Sequence, residues 1–164
     1  QVQGVAVGIG TTLLLHCDLV YAADNAKFSV PFTKLGLCAE FASSLLMTQN
    51  AGYQRAAEML LLGDLFTAEQ AKAAGFVSDV LPADQLQAHV DKQVAKLMAL
   101  PASALMTTKS LMKSHLRNPI SDKIREEGQL FIHMLRQPVA QEAFSAFAEK
   151  RAPNFAQFES RTLG

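Results

Sequence analysis

The chain opens QVQGVAVGIGTTLLLHCDLVYAADNAKFSVPFTKLGLCAE, Gln1 to Glu40, and the fold is read outward from this stretch. Val2 to Val7 is a short, mostly apolar run with one glycine inside, the pattern of a buried strand. Gly8-Ile9-Gly10 then makes a tight turn. Thr11 to His16 has the apolar density of a helix, with threonine available to start it. Leu19 to Ala23 reads as a second buried strand and Lys27 to Val30 as a third, stopped by Pro31. Asp24 and Asn25 between them are turn residues. The spacing is too short for the crossovers of a doubly wound sheet, so a coiled stack of ββα units is the expected α/β architecture.

Downstream, Phe32 to Ala39 reads as a loop bent at Gly36, and Glu40 to Met47 as a short helix with Glu40 at its start. Ala56, Met59, Leu60 and Gly63 recur at helical spacing from Tyr53 on, with Gly63 as the stop. Thr67-Ala-Glu-Gln70 is a capping box opening a helix that ends at Gly75. Phe76 to Leu81 reads as a strand, and a helix starts after Pro82 and Asp84 and runs to about Leu100. Beyond it the pattern is entirely helical, with segments near 102–117, 120–136 and 139–150 broken by Pro101, Pro119 and Pro138. The chain thus divides into an α/β part, residues 1–83, and a helical part, residues 84–164.

The composition excludes several classes of function. An apolar fraction of 49% with 18% charged residues indicates a folded chain with a core rather than a disordered one. A net charge of zero gives no electrostatic footprint for nucleic acid. No apolar run is long enough to span a membrane. Cys17 and Cys38 read as buried, reduced thiols. His16, His89, His115 and His133 are too scattered for a metal site, so no metal is expected. With no signal peptide, and a C-terminal Arg-Thr-Leu-Gly unlike the peroxisomal address, the expected location is cytoplasmic.

Two features of the opening stretch can carry chemistry. A strand that enters a glycine turn and then a helix leaves unpaired N–H groups at the helix start, which favour developing negative charge. An amide there can stabilise an oxyanion, although a Gly-X-Gly sequence is more commonly an ordinary turn. Glu40 is a lone carboxylate among Leu37, Cys38, Ala39, Phe41 and Ala42, the setting of a general base. From the residues alone, an exposed glutamate at a helix start reads as well. Asp18 is expected to bond backbone at a strand start. Ser43 and Ser44 lack a triad partner. Lys109, Lys113 and Arg117 fall at i, i+4 and i+8 and read as a solvated helix face that a phosphorylated ligand could also meet.

The runs QGVAVGIG and TLLLHCDLVYAADNAKFSVP, then LGL, AGYQRAAEMLLLGDLFTAEQAKAAGFVSDVLP and AFAEKRAPNF, resemble in order the crotonase (enoyl-CoA hydratase/isomerase) superfamily. The resemblance runs along essentially the whole chain, which looks like the family domain without its N-terminal portion. It implies the ClpP/crotonase spiral of ββα units with a C-terminal helical trimerisation region. It also implies an acyl-CoA thioester substrate, with coenzyme A as part of the substrate and no separate cofactor. A homotrimer or dimer of trimers follows, and neither nucleic acid nor membrane is a partner.

By motif position, the backbone N–H of Ile9 is one of the family's two oxyanion-hole donors, and the other lies in the portion this chain lacks. The two glutamates with which the family's hydratases activate water fall here on Thr12 and Phe32. The Leu37-Cys38-Ala39-Glu40 segment instead looks like that of the peroxisomal-type Δ3,Δ2-enoyl-CoA isomerases, which implies that Glu40 is a single acid/base. Phe32, Leu35, Leu37 and Phe41 are the expected acyl-pocket walls. Phe131 and Lys150 fall where the family contacts the CoA nucleotide, although a core aromatic and a solvated lysine fit those residues equally. Isomerisation is therefore the leading expectation. Another crotonase-type reaction (a hydratase or C–C lyase) and a non-catalytic acyl-CoA-binding or assembly module are the alternatives.

Overall fold

The structure is a computed structural model that describes residues 1–159. Five short strands form two small sheets: β1 (Val5–Val7), β2 (Tyr21–Ala23), β3 (Lys27–Ser29), β4 (Phe66–Thr67) and β5 (Asp79–Leu81). In one sheet β3 is central, parallel to β1 with Val7 opposite Ser29, and antiparallel to β4 with Phe28 opposite Phe66. In the other, β2 runs parallel to β5 with Ala22 opposite Val80. The turn at Asp24 and Asn25 sends the consecutive strands β2 and β3 into different sheets. That is the coiling expected of ββα units.

Helices connect and cover the strands. They are α1 (Ile9–Thr12), α2 (Ser43–Ala51), α3 (Tyr53–Ala57), α4 (Ala68–Ala73), α5 (Leu86–Met98), α6 (Ala102–Lys113), α7 (Arg117–Leu135), α8 (Pro138–Ala148) and α9 (Ala156–Glu159). The capping box of α4 forms as read: Thr67 Oγ1 accepts the Gln70 N–H at 3.2 Å and Gln70 Oε1 accepts the Thr67 N–H at 2.7 Å. Pro138 opens α8. Pro119 breaks nothing. It lies in the first turn of α7, where a missing N–H has no helical acceptor to lose. A 3-10 turn, Ser114–Leu116, separates α6 from α7 instead.

The core is built on Phe28, Phe66 and Phe76. Phe76 meets the other two rings edge-on at centroid distances of 6.2 and 5.9 Å. Fully buried alanines at positions 22, 26, 56, 71 and 74 let the elements approach closely. Ala140 of α8 belongs to this same core, and Phe131 and Met134 of α7 pack against it. The helical half is therefore laid onto the α/β half, over the loop that follows β3.

Other expectations change as well. β1 is not buried: Val5 is 69% and Val7 47% exposed, because β1 is an edge strand covered by β3 on one side only among the described residues. Cys17 is exposed rather than buried, and Cys38 is half-buried with its thiol pushed up by burial. Lys109, Lys113 and Arg117 are exposed as read but do not share one helix, since the 3-10 turn sets Arg117 at the start of α7, and Asp18 meets two lysines rather than backbone. Lys109 and Lys113 both pair with Asp18, Lys113 at 2.8 Å, and tie α6 to the chain after α1. Hydrogen bonds from Lys109 and then Lys113 hold the Asp18 carboxyl below the usual carboxylate range. The last five residues of the expected helical part, including the Arg161-Thr162-Leu163-Gly164 terminus, lie outside the described residues.

Candidate functional site

A cleft of about 450 Å³ opens between the head of α1, the residues before α2, and α7. Ile9 stands at its α1 end. Gly8, at φ 58°, turns the chain out of β1 while its N–H bonds the Ser29 carbonyl at 2.9 Å. The Thr11 and Thr12 amides fold back onto the Gly8 carbonyl at 2.8 and 3.0 Å. The fully buried Thr11 hydroxyl, shared between the carbonyls of Ala6 at 2.8 Å and Ser29 at 3.1 Å, pins the helix to β1 and β3. Ile9 is the first helical residue, so its N–H has no acceptor in its own helix.

Glu40 stands across the cleft and is half-buried. Its Oε1 accepts a hydrogen bond from the fully buried Thr12 hydroxyl at 2.6 Å. The expected helix start at Glu40 is not observed: α2 begins at Ser43, and Phe41 and Ala42 take left-handed φ values of 58° and 59°. Two such residues without glycine cost about 1–2 kcal/mol each, so the turn needs support.

That support comes from α7. Glu127, only 4% exposed, accepts the Ala42 N–H on Oε2 at 2.5 Å. Its Oε1 accepts the Ser44 N–H at 3.0 Å and the Ser44 hydroxyl at 2.5 Å. Hydrogen bonds to a charged acceptor are worth about 1.5–3 kcal/mol each, enough to offset the strain. His16 adds a bond between Nε2 and the Phe41 carbonyl at 2.8 Å, with the two rings 4.3 Å apart.

Phe32, Phe41 and Phe131 line the same cleft, with Phe131 edge-on to Phe32 at 6.1 Å. Ile124 and Ile132 of α7 complete its apolar wall. Leu35 packs against the core instead. Leu37 lines a second groove of about 460 Å³ with Cys38, Leu130 and Met134. Lys150 is exposed past the end of α8 and lines neither space. Glu127 was not singled out from the sequence, yet it left a signal. It falls within the stripe Ile120, Ile124, Phe131, Met134 at a position where helical spacing calls for an apolar residue. Among the described residues, no group of three or more His, Cys, Asp or Glu side chains could hold a metal ion, and no helix is long and apolar enough to cross a membrane.

Spiral, turn and cleft together define an α/β crotonase fold. The chain belongs to the enoyl-CoA hydratase/isomerase family, which it matches over residues 1–159. Among solved structures, it is 37% identical to an enoyl-CoA hydratase/isomerase from Pseudoalteromonas atlantica T6c, with a TM-score of 0.89 over 93% of this chain and 61% of that one. Among curated proteins, it is 32% identical to the 2,3-dehydroadipyl-CoA hydratase of Escherichia coli, over 94% of this chain and 60% of that protein. It is 36% identical to enoyl-CoA delta isomerase 2 of Rattus norvegicus, over 77% of this chain and 32% of that protein. The chain thus spans about 60% of the length of the hydratase it matches.

Proposed function

We propose that the chain carries the acid/base centre of an enoyl-CoA isomerase, moving the double bond of a 3-enoyl-CoA thioester to the 2-trans position. One observation carries this reading: Glu40 is the only ionisable side chain among the described residues that line the cleft. Thr12 occupies Oε1, leaving Oε2 for a proton. Glu40 takes a proton from C2 of the substrate, and the electron pair delocalises into a dienolate. The thioester oxygen then carries negative charge, and the Ile9 N–H meets it. Glu40 returns the same proton to C4, so the step neither adds nor removes atoms. Phe32, Phe41 and Phe131 limit access of water, which would otherwise compete for the proton.

The second oxyanion donor and the remaining CoA contacts are assigned to the part of the family domain this chain does not span. Loss of one such donor costs about 10²–10³ in rate. Phe131 is assigned to the CoA side of the cleft, and Lys150 to a phosphate contact made in the oligomer. A homotrimer or dimer of trimers would cover the exposed Met106, Leu111, Met112 and Phe147.

In Glu40→Gln, isomerisation of a 3-enoyl-CoA, followed by the absorbance of the conjugated thioester, should fall by about 10²–10⁴ with the fold intact. Full activity in that variant refutes the assignment. Hydration is the second reading, favoured by the similarity to the Escherichia coli hydratase. It predicts that a 2-enoyl-CoA is hydrated faster than a 3-enoyl-CoA is isomerised. Opposing it is the chemistry of Thr12 and Phe32, neither of which can serve as a second carboxylate.

A further inference from the structure

We infer that Glu127 is a positioning residue for the Glu40 carboxylate, and that α7 thereby forms part of the acid/base machinery; this rests on the isomerase reading of Glu40. Glu127 is the one charged residue buried among the described residues. Its partners lie 83 and 85 residues away in sequence, so the contact exists only once α7 has docked. Both backbone donors it holds flank the start of α2. The Glu40 carbonyl accepts the Ser43 N–H, between those two donors, at 3.1 Å. The Cys38 thiol donates to the Glu127 carbonyl at 3.9 Å, two residues before Glu40. The segment from Cys38 to Ser44 is therefore fastened to one residue of α7 on both sides of Glu40.

This fastening fixes where the Glu40 side chain emerges. Thr12 holds only the carboxylate tip. The backbone beneath it turns through Phe41 and Ala42 in a conformation that L-residues adopt reluctantly. Without an acceptor for the Ala42 and Ser44 amides, that turn keeps only the His16–Phe41 and Ser43–Glu40 bonds against its strain. Glu40 would then swing relative to the Ile9 amide. The carboxylate of Glu127 suits this task because its two oxygens accept both backbone donors together. A glutamine of the same shape can accept only one, since its amide nitrogen would face a second N–H.

Glu127→Gln, in the protein as purified, tests this beside Glu40→Gln. A misplacement of about 1 Å costs on the order of 10²-fold. With one amide still held, kcat is expected to fall roughly tenfold or more while KM stays near wild type. Amide hydrogen exchange at Ala42 and Ser44 should accelerate while that of α5 does not change. An unchanged kcat overturns the inference, as does a lowered kcat without faster exchange at those two amides. If Glu40→Gln itself retains activity, the isomerase reading falls, and the exchange data still decide whether Glu127 holds the loop. Should Glu127→Gln fail to fold, Ser44→Ala removes one of the three donors while leaving the backbone pair. A severalfold loss of kcat is then expected, and full kcat overturns the inference.

Discussion

Gly36→Ala is a sharp test of how α8 supports the loop that carries Glu40. Gly36 ends the 3-10 turn Thr33–Leu35 at φ 66°. A methyl group there would sit 2.8 Å from Val139 Cγ1 and 3.3 Å from both the Val139 carbonyl carbon and the Ala140 nitrogen. Two of those three atoms are backbone of α8, and Ala140 is fully buried, so relief requires α8 itself to move. The left-handed backbone costs alanine about 1–2 kcal/mol, and crowding of a packed site adds about 1–3 kcal/mol. Together these approach half the stability of an ordinary domain, about 5–15 kcal/mol.

Gly36→Ala in a Val139→Ala background is the control. Val139→Ala removes the atom 2.8 Å away and leaves the backbone cost of a left-handed alanine. Urea denaturation of the single and double variants, with equal m-values, separates the two contributions. Gly36→Ala is expected to cost about 1–3 kcal/mol more in the wild-type background than in the Val139→Ala one, and to lose turnover as well, because displaced α8 no longer seats residues 33–36. Equal costs in the two backgrounds would refute the crowding argument and the seating role of α8.

Other outcomes follow from the same geometry. Thr12→Val keeps the buried shape but removes the donor to Glu40 Oε1. Turnover is expected to fall roughly tenfold, the equivalent of about 1.4 kcal/mol at the low end of a charged hydrogen bond, and a fully active Val variant would show that Thr12 does not orient the base. Arg151, through its side-chain hydrogen bonds, and then the Asn154 N–H hold the Glu142 carboxyl down to about 2, against 4.5 for the free group. A lowered folded-state value means that this stabilisation is fully present above about pH 4.5 and is lost as pH falls toward 2. The thermal midpoint of wild type should therefore drop more steeply over that window than that of Glu142→Gln, and parallel slopes would contradict the pairing.

Much of this molecule is local, and local chemistry is readable in a linear sequence. The Thr67–Gln70 capping box, the Asp24–Asn25 turn, Pro138 opening α8 and the Gly8 turn each depend on residues a few positions apart. They formed where the residue types demanded. The resemblance carried by Gln1 to Pro31 and the later motifs led to the crotonase fold that the solved structures share. Apart from the break expected at Pro119, the readings that failed were mostly those for which the deciding partner was distant. Val5 and Val7 have the composition of a buried strand, but burial depends on what lies beyond the sheet edge. Asp18 reads as a backbone partner at a strand start until Lys109 and Lys113 of α6 meet it.

The cleft shows the same division. The sequence by itself supplied its residue types: a helix-heading amide at Ile9 and one carboxylate at Glu40, each with an ordinary reading beside the chemical one. That Thr12 and Phe32 fall where hydratases carry their two glutamates is implied by the family resemblance. Only the tertiary structure decided that Glu40 precedes α2 rather than starting it. The helical propensity of residues 40–47 is worth a few tenths of a kcal/mol per residue. A buried carboxylate accepting the Ala42 and Ser44 amides outweighs it. Glu127 reaches those amides because α7 docks across the loop, and no pattern within residues 1–47 contains that contact.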